Sequence, residues 1–290
     1  MIIRKHGYTL KIVNRNLVVI KGGKLGDQWH SVRTLLGKGD QNPKTKKNRV
    51  TTFGLTMAPH TIAGVGTMCA MARTCKVKGV CLTHTGQGDM PNVMLPRIAK
   101  TVAFRLAPEW FFQKLDRELA AKRRHTNGIL GFRGNMLTDV PWENHGLPDR
   151  HTGILFYDYT KLPNRAGWIR ENYYVTFSYD GTNMPEALRV LESGNNVAVV
   201  FYDDSPGPKC GKAAHRQPLP AYWQGYPVID GGVTDWRPED PRGVVVGLRL
   251  LAKSWANRNA AINSGFAQLV SDGVAIDEDS LEFWMIGGEA

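Results

Sequence analysis

Short apolar runs that are continuous rather than alternating constrain this chain more than any other feature. They are Ile129–Phe132, Gly153–Tyr157, Tyr173–Phe177, Asn196–Phe201, Pro227–Ile229 and Val244–Leu250, with polar residues at their ends. Successive side chains of a strand point to opposite faces, so a strand half in water alternates in polarity. A run that does not alternate fits a strand buried on both faces, as in a parallel sheet flanked by helices. Helices are predicted over 94–106 and 108–124, the second opening on Pro108, whose missing N–H costs nothing in a first turn. A third covers 185–193 and stops at Gly194. The expectation is an α/β fold, a (β/α) barrel, closed or incomplete. Residues 1–290 are read as a single barrel-like domain, with a hairpin and basic loop in 1–50, a core in 51–260 and an extension in 261–290. The hairpin, Tyr8–Lys21, turns at Asn14-Arg15-Asn16.

Charge narrows the partners. The 290 residues carry a formal net charge of +11, and cationic patches gain free energy by releasing counterions from a polyanion. DNA is the expected partner. Lys44, Lys46, Lys47 and Arg49 in the polar loop 38–49, with Arg123 and Arg124 at the end of the second helix, are the candidate phosphate contacts. No run of eighteen apolar residues exists, so no membrane span is expected. The start of the chain does not read as a signal peptide, and clustered thiols suit a reducing compartment, so the cytoplasm is the expected location (a host cell's, if phage-encoded). No Walker loop, H-E-x-x-H or G-x-S-x-G is present.

Three of the four cysteines, Cys69, Cys75 and Cys81, lie in one window, and His84 follows. Clustered thiolates can hold a soft or borderline metal. The spacing is not that of a zinc finger, so the pattern does not identify the metal. Zinc is the expected ion, and an iron–sulfur cluster working with S-adenosylmethionine is the alternative. His84 is the expected fourth ligand, with Cys210 a more distant choice. Small buried hydrophobes are the competing explanation for the thiols.

Two carboxylates follow consecutive predicted strands. Asp139 lies in Thr138-Asp-Val-Pro-Trp-Glu143, and Asp158 in Phe156-Tyr-Asp-Tyr-Thr-Lys161. Enzymes of this architecture keep their chemistry at strand C-termini, where two acids on one rim can divide nucleophile and proton-transfer duties. Around Asp158 stand Tyr157, Tyr159, Lys161 and Arg165, suited to a flat heterocycle and a phosphate. Trp142 is a further stacking candidate, and Ser178 and Asp230 are further rim positions. Capping of a helix or turn is the competing role for either aspartate.

Leu55-Thr-Met-Ala-Pro59, the cysteine loop with Gly86 and Gly88, Thr138–Glu143, Phe156–Lys161, Tyr174-Val-Thr-Phe-Ser178, Val197–Phe201, Val228-Ile-Asp-Gly231 and Val244–Gly247 resemble the phage and plasmid family called gene product 88-like. The resemblance covers roughly residues 30 to 260. That family is in turn similar to barrel transglycosylases of the tRNA-guanine type and to DNA-acting counterparts that insert 7-deazaguanines. The resemblance implies exchange of guanine in DNA for a 7-deazaguanine such as preQ0 or preQ1. Asp158 would be the nucleophile, and Asp139 would recognise the base or carry protons. Two other readings are a radical enzyme and a non-catalytic, metal-stapled DNA-binding protein.

Overall fold

The structure is a computed structural model describing residues 2–22, 28–38, 45–75, 81, 88, 90–204, 217–252 and 254–272. Lys44, His84 and Cys210 lie outside the described residues. The chain forms two compact units. The first draws on Met1–Cys75, Cys81–Thr176 and Thr234–Asp240, the second on Phe177–Val233 and Pro241–Ala290.

The first unit begins with a four-stranded antiparallel sheet in chain order: β1 (Ile2–Lys5), β2 (Tyr8–Val13), β3 (Asn16–Lys21) and β4 (Gln28–Val32). Asn14 and Arg15 both have positive φ, 48° and 65°. That geometry turns the β2–β3 hairpin with a twist that matches its strands. Next come β5 (Leu36–Lys38), β6 (Thr51–Leu55), β7 (Leu130–Arg133), β8 (Leu155–Thr160), β9 (Gly167–Arg170) and β10 (Tyr173–Ser178). β6, β7 and β8 are parallel neighbours, with Phe53 opposite Phe132 and Phe132 opposite Phe156. β5 runs antiparallel to β6, β10 lies beside β8, and β9 pairs antiparallel with β10.

Between β6 and β7 the chain makes α1 (Pro91–Leu106) and α2 (Pro108–Arg124). They part at Ala107 because Pro108 cannot continue the helix before it but starts a new one well. Trp110, Phe111, Leu115 and Leu119 bury one face of α2, and Phe104 meets Phe111 edge to face at 5.3 Å. From the same helix Glu118 accepts the N–H groups of Leu35 (3.0 Å) and Leu36 (2.9 Å), fixing the start of β5. A short helix, α3 (Leu147–Arg150), precedes β8.

The second unit holds α4 (Met184–Glu192), β11 (Val197–Tyr202), β12 (Tyr222–Trp223), β13 (Tyr226–Asp230), β14 (Val245–Arg249), α5 (Trp255–Asn263) and β15 (Ala267–Leu269). β11 runs parallel to β14, to β15 and to the last residues of β10, and β13 runs parallel to β14. β12 and β13 form an antiparallel pair.

Both units are therefore mixed α/β with parallel strands. Among the described residues, neither set of strands closes into a barrel. Unalternating apolar runs report burial on two faces, which open and closed sheets share. No helix among the described residues is long and apolar enough to cross a membrane.

Candidate active site

The parallel strands β6, β7 and β8 deliver three segments to one edge of the first unit's sheet. Each strand's C-terminus opens there: β6 leads to the cysteine segment, β7 to the Asp139 segment, and β8 carries Asp158 near its end. The first two segments touch, since Cys69 and Asp139 form an isolated parallel bridge and Asp139 N–H donates to Met68 O at 3.0 Å.

Asn135 organises the turn after β7. Its Oδ1 accepts from Thr138 Oγ1 and Val140 N–H, both at 2.8 Å. Because a backbone N–H can only donate, this contact fixes which end of the amide is the oxygen. The Nδ2 group then donates to Val140 O (2.9 Å) and Asp158 Oδ2 (3.0 Å), and the Asn135 backbone N–H donates to Asp158 Oδ1 at 2.6 Å. The Tyr173 hydroxyl adds a third donor to Asp158, at 2.8 Å on Oδ2.

Asp158 is 1% exposed. Burial pushes its pKa up to about 7. The Tyr173 hydroxyl, the Asn135 N–H and the charges of Arg133 and Arg165 pull it back without prevailing. Asp139 is better served. It accepts from Thr160 Oγ1 (2.9 and 3.1 Å), Lys161 N–H (3.0 Å) and Arg165 Nη1 (2.9 Å). Burial still raises its pKa, against those donors.

Arg165 joins the two acids. Its Nε and Nη2 grip both oxygens of Glu143 at 2.6 and 3.0 Å, Nη1 holds Asp139, and Nη2 reaches the Tyr173 hydroxyl at 3.3 Å. The planar guanidinium, with five donors in a fixed fork, can hold all three partners at once. The chain Asp139–Arg165–Tyr173–Asp158 is thus continuous.

Strand alternation separates the aromatic candidates from this cluster. Asp158 and Thr160 share one face of β8, and Tyr157 and Tyr159 take the other. Tyr157, expected to stack on a substrate beside Asp158, is instead fully buried. Its hydroxyl donates to Asp235 Oδ2 at 3.3 Å and accepts from Asn48 Nδ2 at 3.0 Å. Tyr159 lies under the guanidinium of Arg133, 4.7 Å from its ring centroid. Arg133 donates to both oxygens of Asp235, at 2.8 and 2.7 Å. Trp142, also expected to stack on a base, is fully buried, packed edge-on to Phe104 at 5.9 Å.

The remaining expectations divide. Lys161 touches Asp139 through its backbone. Ser178 and Asp230 belong to the second unit. There the Ser178 carbonyl accepts from Asn183 Nδ2 (3.1 Å), and the exposed Asp230 carboxylate accepts from Gly232 N–H (2.7 Å), closing a turn. Lys46, Lys47, Arg49 and Arg124 are exposed. Arg123 is half-buried and committed to the carbonyls of Gly128 (2.8 Å) and Thr126 (3.0 Å), so it ties the end of α2 to the next loop instead of reaching outward.

Cys69, Cys75 and Cys81 are half-buried cysteines that form no disulfide among the described residues. Burial first, then the nearby Cys81, Asp139 and Cys75, lift Cys69 to about 11 against the opposing N–H of His60. The thiols are thus neighbours. Yet among the described residues no group of three His, Cys, Asp or Glu is arranged to hold a metal ion.

The fold and the buried acid network define a mixed α/β protein with a polar cluster at the C-terminal edge of its parallel strands. The chain belongs to the gene product 88 family, whose model matches residues 30–268. No curated protein and no solved structure matches it.

Proposed function

We propose that this chain is a DNA base-exchange enzyme that replaces guanine by a 7-deazaguanine. The observation that carries the reading is the continuous network joining Asp158 to Asp139 at the edge where parallel α/β sheets keep their chemistry. A carboxylate offers about four lone-pair positions. Each aspartate has three donors; on Asp139 the Thr160 hydroxyl spans both oxygens, so each oxygen has two contacts, whereas on Asp158 only the Asn135 N–H reaches Oδ1. The free position on Oδ1 suits a nucleophile.

In the proposed reaction Asp158 Oδ1 attacks the anomeric carbon of a target nucleotide. The new C–O bond forms as the glycosidic C–N bond breaks, and the electron pair leaves with guanine, which takes up a proton. A ring nitrogen of the incoming base then displaces the carboxylate and loses its own proton. Asp139, held by Arg165, recognises the base or moves those protons. The nucleotide must be single-stranded or flipped out of the duplex, and it must displace the cover over Asp158. The net charge of +11 favours the polyanionic substrate.

The test is to incubate the protein with DNA and a 7-deazaguanine, then to digest the DNA and analyse its nucleosides by mass spectrometry. Asp158→Asn is expected to abolish incorporation. Exchange that continues at the parent rate in that variant would remove Asp158 from the chemistry.

A further inference from the structure

The N-terminal sheet carries a surface of unusual composition. In an antiparallel sheet, residues directly opposite one another share a face. One such row is Arg4, Thr9, Ile20 and Trp29, and the next, two residues along each strand, is Ile2, Lys11, Val18 and Ser31. The opposite face supplies the core through Tyr8, Leu10, Leu17, Val19 and Val32. On the outer face Trp29 is 68% exposed and Ile2 is 59% exposed. No Asp or Glu occurs in residues 2–22 or 28–38, and the cations in the outward-facing rows are Arg4 and Lys11, both exposed.

A ligand for this face must satisfy an aromatic plane and cations together, with no acid on the face among the described residues. Single-stranded nucleic acid does both, because every base has a π-face and every linkage an anionic phosphate. A duplex keeps its bases stacked on each other and leaves the indole unmatched. A lipid surface is more often met by an amphipathic helix with a continuous apolar side. Here the apolar groups are spread over four strands, about 14 Å from β1 to β4, and share the face with Arg4 on β1 and Lys11 on β2.

We propose that the outer face of β1–β4 is a binding platform for single-stranded nucleic acid. A base stacks on Trp29, and phosphates lie against Arg4 and Lys11. The platform extends the base-exchange reading by giving the displaced or single strand a resting place, and it is measured without turnover.

The experiment uses the full chain and a fluorescein-labelled oligodeoxythymidine, with binding followed by anisotropy at several salt concentrations. Trp29→Ala is expected to weaken binding about tenfold, and Trp29→Phe to stay within a few-fold of the parent. Arg4→Ala with Lys11→Ala is expected to flatten the slope of log affinity against log salt by roughly 1.4. The three side chains face outward, so each variant should melt as the parent does. Unchanged affinity in Trp29→Ala, or an unchanged salt slope in the double variant, would overturn the platform. So would phosphatidylserine vesicles bound through Trp29 when the oligonucleotide is not. Intact binding with no exchange by the parent protein would remove the catalytic reading and leave the platform standing.

Discussion

Replacing Asp158 by asparagine keeps the shape of the side chain and removes its titration, so it isolates what burying this acid does to stability. Folding moves its pKa from 3.8 to about 7, so between those limits the folded state holds a proton that the unfolded state has released. Stability contributed by the group is full below the unfolded value and declines as pH rises, until the loss is complete above about 7. A shift of roughly three units corresponds to about 4 kcal/mol in total, of which about 2.6 kcal/mol falls between pH 5 and pH 8. The assay is urea unfolding of parent and variant across that range. The parent's stability is expected to fall more steeply with pH than the variant's, so that the parent's lead over the variant shrinks by about 2.6 kcal/mol from pH 5 to pH 8. The variant carries a fixed cost of about 1–3 kcal/mol, because its amide faces the Asn135 amide donor-to-donor. That cost moves the variant's curve without tilting it. Parallel curves from pH 5 to 8 would show that Asp158 titrates normally and would refute the reasoning.

Tyr173→Phe removes one of the donors that hold the Asp158 pKa down. The acidic limb of the pH–rate profile for base exchange, expected near 7 in the parent, should move to higher pH in the variant. Arg165→Met leaves Glu143 and Asp139 without their shared cation. Denaturant unfolding should show a loss of about 3–5 kcal/mol, the range for breaking a buried pair by removing one partner. Gly134→Ala places a methyl group against the indole of Trp142 and should cost about 1–3 kcal/mol by thermal unfolding. Gly153→Ala, whose nearest neighbour would be the Arg123 side chain at an ordinary 3.6 Å, is the near-neutral control.

Most of the strands were legible because burial on two faces, as in β7, β10 and β11, writes itself into local sequence, although the run of β13 is only partly buried. All six apolar runs coincide with β7, β8, β10, β11, β13 and β14, and the second helix spans its predicted residues. β1 and β4, which widen the hairpin into a four-stranded sheet, were not anticipated. Their pairing is a long-range choice that period alone does not encode. Asp139 and Asp158 could be picked out as acids after strands. The central position of Arg165 could not, since nothing local distinguishes an arginine that bridges Asp139, Glu143 and Tyr173 from one in solvent. The alternation of β8 did hold a usable signal. Two tyrosines flanking an aspartate in a strand must point away from it, which separates Tyr157 and Tyr159 from the acid they were expected to serve. Arg133 with Asp235 left no trace, because its partners stand 102 positions apart.

That separation orders events during synthesis. The guanidinium at the end of β7 leaves the ribosome long before the carboxylate that neutralises it, and about half of the second unit emerges between them. A nascent or truncated chain ending at Thr176 would have to bury a lone cation or keep the end of β7 open to water. The first unit is therefore completed by a late return of the chain, and cutting the gene at the apparent border would yield a fragment with its charge unanswered.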